Sequence, residues 1–106
     1  MRLRYTPQAR ADLLGIRSYI RNVLMNPSAA ENTVERITRQ VNRLRELPYM
    51  GGELSAKTGM ETDYRYLVTG KHIVFYKVTP QEGVIVERVL DGRTQYLSIL
   101  FDDIAE

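Results

Sequence analysis

Residues 2–5, Arg-Leu-Arg-Tyr, alternate charged and apolar side chains, a pattern that predicts a short strand with one buried face. The period then changes. Ala9, Leu13, Ile16, Ile20 and Val23 recur at spacings of four and three, and Thr6-Pro7 ahead of them supplies a capping hydroxyl and a residue preset for the first helical position. An amphipathic helix over residues 7–25 is expected. Asn26-Pro27 repeats the device, and Ala30, Val34, Ile37, Val41, Leu44 and Leu47 form a second stripe that Pro48 closes. With only about two residues between them, the two helices must fold back as an antiparallel hairpin whose stripes meet and cover a sheet. The core is expected on one side of that sheet.

Residues 49–63 carry Gly51, Gly52 and Gly59 with little periodicity and read as a loop with room for a short irregular strand. Three runs rich in β-branched and aromatic residues follow, at 64–69, 72–78 and 84–90, separated by Gly70-Lys71 and by Thr79 to Gly83. They predict three antiparallel strands. The run His-Ile-Val-Phe-Tyr-Lys-Val at 72–78 is apolar on both faces for most of its length, which places it in the middle of the sheet. Asp91-Gly92 ends the last strand, and residues 94–101 are expected as a final helix or arm. The fold class is therefore α+β: an N-terminal helix hairpin packed on a twisted antiparallel sheet of three to four strands, with residues 2–5 at an edge. At 106 residues, a single domain spanning 1–106 is expected.

Apolar residues at 43% and charged residues at 26% are an ordinary globular mixture and argue against disorder. The absence of cysteine removes disulfides, thiolate nucleophiles and cysteine-containing zinc sites, and is compatible with a reducing cytosol. No run approaches the roughly 18 to 20 apolar residues of a membrane span, and the first ten residues lack the apolar stretch of an export signal. A soluble, cytoplasmic protein is expected. The net charge of +2 hides an asymmetry: Asp102, Asp103 and Glu106 close the chain, so residues 1–101 hold fifteen basic and ten acidic groups, a net of +5.

With one histidine and four serines, none in a strained Gly-x-Ser-x-Gly turn, the chain offers little for nucleophilic catalysis. Scattered carboxylates beside a lone histidine make no metal cluster, and Gly51-Gly52 lacks the Lys-Ser or Lys-Thr of a phosphate loop, so no metal or cofactor is expected. The basic residues remain. Arg36, Arg39 and Arg43 share one helix face and read as a solvated surface balanced by Glu31, Glu35 and Glu46. Arg65, Lys71, His72, Lys77, Arg88 and Arg93 instead lie on or beside the three strands, interleaved with Tyr64, Tyr66, Tyr76 and Tyr96. Such a set can grip an RNA backbone and stack its bases, or meet an acidic protein surface.

These segments, in this order, resemble the RelE/ParE superfamily of bacterial type II toxins over almost the whole chain, and look most like its ParE branch. There a Leu-x-x-x-Pro-x-x-Gly type of segment precedes an R-x-(F/L)-x-V-G-x-H-x-(I/V)-F-Y strand pair and a V-L-x-x-R-x-(D/Q) ending. Here these read Leu44 to Gly51, Arg65 to Tyr76 and Val89 to Gln95. The resemblance implies a compact α+β toxin whose antitoxin, encoded alongside it, wraps an extended or helical segment over it. RelE-like members cut mRNA in the ribosomal A site with basic residues and often a tyrosine or histidine; ParE-like members lack that set and inhibit DNA gyrase.

Arg93 matches the RelE-like arginine that stabilises phosphate charge. Elsewhere the chain departs from that pattern, with Ile73 where an arginine is expected, Ile99 in place of a C-terminal tyrosine, and Lys57 alone in the loop. A nuclease would have to be improvised from Arg93, His72 and Tyr96. His72 has a side chain suited to acid-base work, yet it matches the ParE-like histidine, which need not be catalytic, and shares a strand face with Tyr76. The resemblance therefore implies a toxin that inhibits DNA gyrase by binding, without a chemical step, and forms a hetero-oligomer with its cognate antitoxin. Arg65, Lys71, His72, Tyr76, Arg88 and Arg93 are the expected target or antitoxin contacts, with antitoxin acids meeting Arg65, Arg88 and Arg93 along the hairpin groove or a sheet edge. The alternatives are a ribosome-dependent mRNA endoribonuclease, with ribosome and mRNA as partners, and an antitoxin-binding relic that has lost its target.

Overall fold

A computed structural model describes residues 1–101; the acidic end from Asp102 to Glu106 lies outside the described residues. The chain runs through β1 (Leu3–Tyr5), α1 (Pro7–Ser18), α2 (Pro27–Asn42), β2 (Gly52–Glu53), α3 (Leu54–Thr58), β3 (Arg65–Thr69), β4 (His72–Thr79), β5 (Gly83–Asp91) and α4 (Tyr96–Leu100). Both caps predicted from sequence form. The Thr6 hydroxyl accepts the Ala9 N–H at 3.1 Å, the Asn26 side chain accepts the Ala29 N–H at 3.1 Å, and each is followed by its proline.

The helices end sooner than their stripes suggest. α1 passes into a π-helical turn at Tyr19–Val23, and α2 into a 3₁₀ turn at Arg43–Arg45. A π turn holds more residues than an α turn, so it carries Val23 off the buried stripe, and this side chain is 63% exposed. Leu47 lies past the end of α2 and is likewise exposed. Between the helices Met25 adopts φ +55°, the left-handed conformation that reverses the chain.

β4 lies at the centre of the sheet, whose order is β1-β5-β4-β3-β2. β3, β4 and β5 form the expected antiparallel meander, with Gly70 at φ +63° opening a two-residue turn. The sheet has five strands rather than three or four, and it is mixed. β1 pairs parallel to β5, Leu3 opposite Val84 and Tyr5 opposite Val86. The alternation in residues 2–5 specifies a buried face, whereas strand direction is set by the crossing through α1 and cannot be read from that pattern.

One face of the sheet carries the helix hairpin. Ala9, Ile37, Val41 and Leu44 pack there on Val74, Tyr76, Val84, Val86 and Val89. A register shift makes this possible: Phe75 faces Arg88 while Tyr76 faces Val86, and the extra residue in β5 returns Val89 to the face of Val84 and Val86. The core is not one-sided as expected. Because β4 is apolar on both faces, Ile73 and Phe75 also need cover, and Leu54 of α3, Leu90 and the α4 residues Tyr96 and Leu97 supply it. Burying Phe75 fully is worth about 2 to 3 kcal/mol.

Candidate functional site

α1 is fastened to the sheet by an ion pair. The Asp12 carboxylate accepts from Arg88 Nε at 2.8 Å and Nη2 at 2.9 Å, and from the Val89 N–H at 2.9 Å. β1 covers β5 only as far as Val86, so Asp12 takes over the exposed edge where that strand stops. The hydrogen bonds to Asp12 hold the Arg88 guanidinium firmly in its charged form. This arginine is committed to the fold.

Arg65 and Tyr76 are committed in the same way. Directly opposite each other across β3 and β4, they clasp the chain between Pro48 and Gly51. The buried Tyr76 hydroxyl donates to the Pro48 carbonyl at 3.0 Å and accepts the Gly51 N–H at 3.2 Å, while Arg65 donates to the carbonyls of Tyr49 and Gly51 at 3.1 and 2.7 Å. A Cβ on Gly51 would lie 2.6 Å from the Tyr76 hydroxyl and overlap the Tyr66 carbonyl. The glycine of the Leu-x-x-x-Pro-x-x-Gly segment is there for this close approach.

Lys71, His72 and Arg93 gather at the other end of the strands. A cavity of about 310 Å³ opens there beneath Ile16, Tyr19, Ile20 and Leu24, floored by Lys71, His72, Asp91 and Arg93. A second, of about 180 Å³, lies beside it under α2, bordered by Ala29, Thr33 and Arg36, and shares Ile20, Leu24, Lys71 and His72 with the first. The strand alternation turns His72 towards these helices, on the face of Val74 and Tyr76. Burial pushes the His72 imidazole below its ordinary proton affinity, against the pull of Asp91 opposite, with Lys71, Arg36 and Arg93 adding to the depression. The ring is neutral at pH 7. Asp91 accepts from the Arg93 N–H at 2.8 Å and from its guanidinium at 3.1 and 2.8 Å, which holds its carboxyl far below the usual carboxylate range.

Tyr96 is elsewhere. Its ring stacks on Phe75 with centroids 5.2 Å apart, on the opposite face of the sheet from His72, and Lys57 lies over both Tyr66 and Tyr96 at 4.8 and 5.9 Å. Lys77 caps Tyr64 on the same side. The nuclease set Arg93, His72 and Tyr96 is thus divided by the sheet. Of the helix arginines read as one solvated face, Arg39 pairs with Glu35 at 2.9 Å, while Arg36 leans against Gly70 at the mouth of the cavity. Among the described residues no three His, Cys, Asp or Glu side chains gather to hold a metal ion. Asp12 and the apolar roof of the cavity escaped the sequence reading. Their signal, a half-exposed helix face beyond the first turns of α1, is visible only once β5 is in place.

A five-stranded sheet under a helix hairpin, with a cleft where the hairpin overhangs it, describes a small α+β fold. The family model described as the ParE toxin of the type II toxin-antitoxin system, parDE, matches residues 3–96, and the chain belongs to that family. Among solved structures, a chain of the chromosomal ParDE toxin-antitoxin system from P. aeruginosa superposes with a TM-score of 0.70 at 24% identity, covering 86% of this chain and 95% of that one. A search of curated proteins gave no match. No helix among the described residues is long and apolar enough to cross a membrane.

Proposed function

We propose that this ParE family member is the toxin of a type II pair, that it inhibits DNA gyrase by binding rather than by chemistry, and that a cognate antitoxin neutralises it. One observation carries the choice against RNA cleavage. Phosphodiester cleavage at the 2′-OH needs a base, an acid and a charge stabiliser within reach of one phosphate, and here His72 and Tyr96 lie on opposite faces of the sheet while Arg93 is bound to Asp91. Binding makes no such demand.

In this reading Lys71, His72 and Arg93 contact a partner directly, and Arg65, Tyr76 and Arg88 act by holding the loop and helix that frame the surface. The face bearing Lys57, Tyr66 and Tyr96 provides a separate basic and aromatic surface for the target. The test is a supercoiling assay with purified gyrase and relaxed plasmid, run beside a translation reaction with labelled mRNA. Inhibited supercoiling with intact mRNA is the expected result; unaffected gyrase with cut mRNA would replace this reading with the nuclease.

A further inference from the structure

The overhanging end of the hairpin leaves unusual chemistry unused. None of the side chains in the π turn Tyr19–Val23 is buried, and Leu24 and Met25 beyond it are 51% and 79% exposed, so the tip is open and presents Tyr19, Val23, Leu24 and Met25 beside Arg21 and Asn22. Beneath it His72 is only 6% exposed, and its Nδ1 is sealed without a hydrogen-bond partner among the described residues. Thr69, its partner directly across the hairpin, holds a second sealed and unpartnered atom, Oγ1. Buried polar atoms without partners are rare because of the solvation they forfeit, and two sit side by side here. Lys71 and Arg36, at the mouth, enter no ion pair among the described residues.

An apolar roof, two unpaired cations and an unpartnered imidazole describe a receptor for one carboxylate set among apolar groups. We propose that this cleft is the seat of a single acidic side chain of the antitoxin, which meets Lys71, Arg36 and the His72 ring while apolar neighbours on the same segment cover Tyr19, Leu24 and Met25. The assignment rests on the toxin reading above. A nucleic-acid backbone suits the cleft poorly, because Asp12 and Asp91 on its border already hold Arg88 and Arg93, leaving only Lys71 and Arg36 for a run of phosphates, and Ile16 and Ile20 offer a sugar-phosphate chain nothing. Since Nδ1 is sealed, Nε2 is the ring nitrogen left to meet the incoming carboxylate.

Occupancy then leaves a signature. The charged groups facing His72 are Asp91 from β5, Lys71 in the turn, Arg36 from α2, Arg93 beyond β5 and Asp12 from α1. A carboxylate added to this set favours the imidazolium, so the titration midpoint of His72 rises on binding and the complex tightens as pH falls through that range.

The experiment follows the Hε1 resonance of the sole histidine by NMR between about pH 5 and 8, in the full-length toxin alone and with the protein encoded by the adjacent reading frame. The expected result is an upward shift of the His72 midpoint, together with a loss of at least about tenfold in affinity for Lys71→Glu with Arg36→Glu, both exposed positions whose reversal leaves the fold intact. A complex of unchanged affinity with the reversed charges and an unmoved His72 would overturn the cleft while leaving the toxin reading in place. No complex at all would overturn the toxin reading and the cleft with it. A single-stranded oligonucleotide that moved His72 where the neighbouring protein did not would reassign the cleft to nucleic acid and equally end the proposal.

Discussion

His72 and Tyr96 stand on opposite faces of the same sheet: His72 faces the helix hairpin with Val74 and Tyr76, while Tyr96 stacks on Phe75 under α4. The alternation of β4 enforces this, since residues 72 and 75 differ by an odd number and cannot share a face. No rotamer change brings the two side chains to one substrate atom.

The Asp12 and Arg88 pair is nearly buried, with side-chain exposures of 12% and 24%, so removing one partner strands the other. Asp12→Ala should cost about 2 to 3 kcal/mol, because it also leaves the Val89 N–H without its acceptor. In a double-mutant cycle with Arg88→Met, the pair should show a coupling of about 1 kcal/mol or more by urea denaturation. Strict additivity would show that the pair does not fasten α1.

Tyr76 should prove to be a structural residue. Tyr76→Phe keeps the packing but leaves the Pro48 carbonyl and Gly51 N–H unpaired, and a loss of about 1 to 3 kcal/mol is expected. Gly51→Ala should destabilise at least as much through its overlap with the Tyr66 carbonyl. Thermal unfolding checks both, and an unchanged midpoint for Gly51→Ala would mean that this loop yields freely.

Stability should fall with acid in two stages. The folded-state proton affinity of His72 is depressed, so its neutral form contributes stability above the unfolded value of 6.5, and that contribution is lost as pH falls through 6.5 towards the folded value. The depressed Asp91 carboxyl contributes above its unfolded value of 3.8 and loses its share only below that. Urea midpoints across pH should therefore decline first near 6.5, and His72→Asn should abolish that first decline while sparing the second.

Arg93→Ala should scarcely disturb the fold. Its side chain is 77% exposed and its ion pair with Asp91 is open to solvent, where such pairs contribute little to stability. A fall of more than a few degrees in melting temperature would show a structural role that the geometry does not give it.

Much of the fold was legible from local chemistry. Thr6 and Asn26 act within three residues of themselves, and the two faces of β4 follow from its alternation, so caps and central strand could be read directly. β2 could be read only as room for a short irregular strand in residues 49–63, because its two residues pair with Arg65 and Tyr66 once Gly51 lies against Tyr76. The bulge was invisible for a similar reason: Glu87 and Arg88 look like ordinary strand residues until Asp12 claims Arg88 from α1. The site was half legible. The six residues read as one set in the sequence, but Lys71, His72 and Arg93 gather at one end of the strands, whereas Arg65, Tyr76 and Arg88 turn inward to partners far along the chain. A basic residue in a sequence announces its charge and not what already neutralises it.

The central claim, growth inhibition through gyrase without a chemical step, is tested most directly by inducing this protein in a bacterium lacking the antitoxin. DNA supercoiling and the 5′ ends of ribosome-bound mRNA would be followed together. Loss of supercoiling with a DNA-damage response and intact mRNA is the predicted result. Codon-positioned cuts in translated mRNA with normal supercoiling would contradict it.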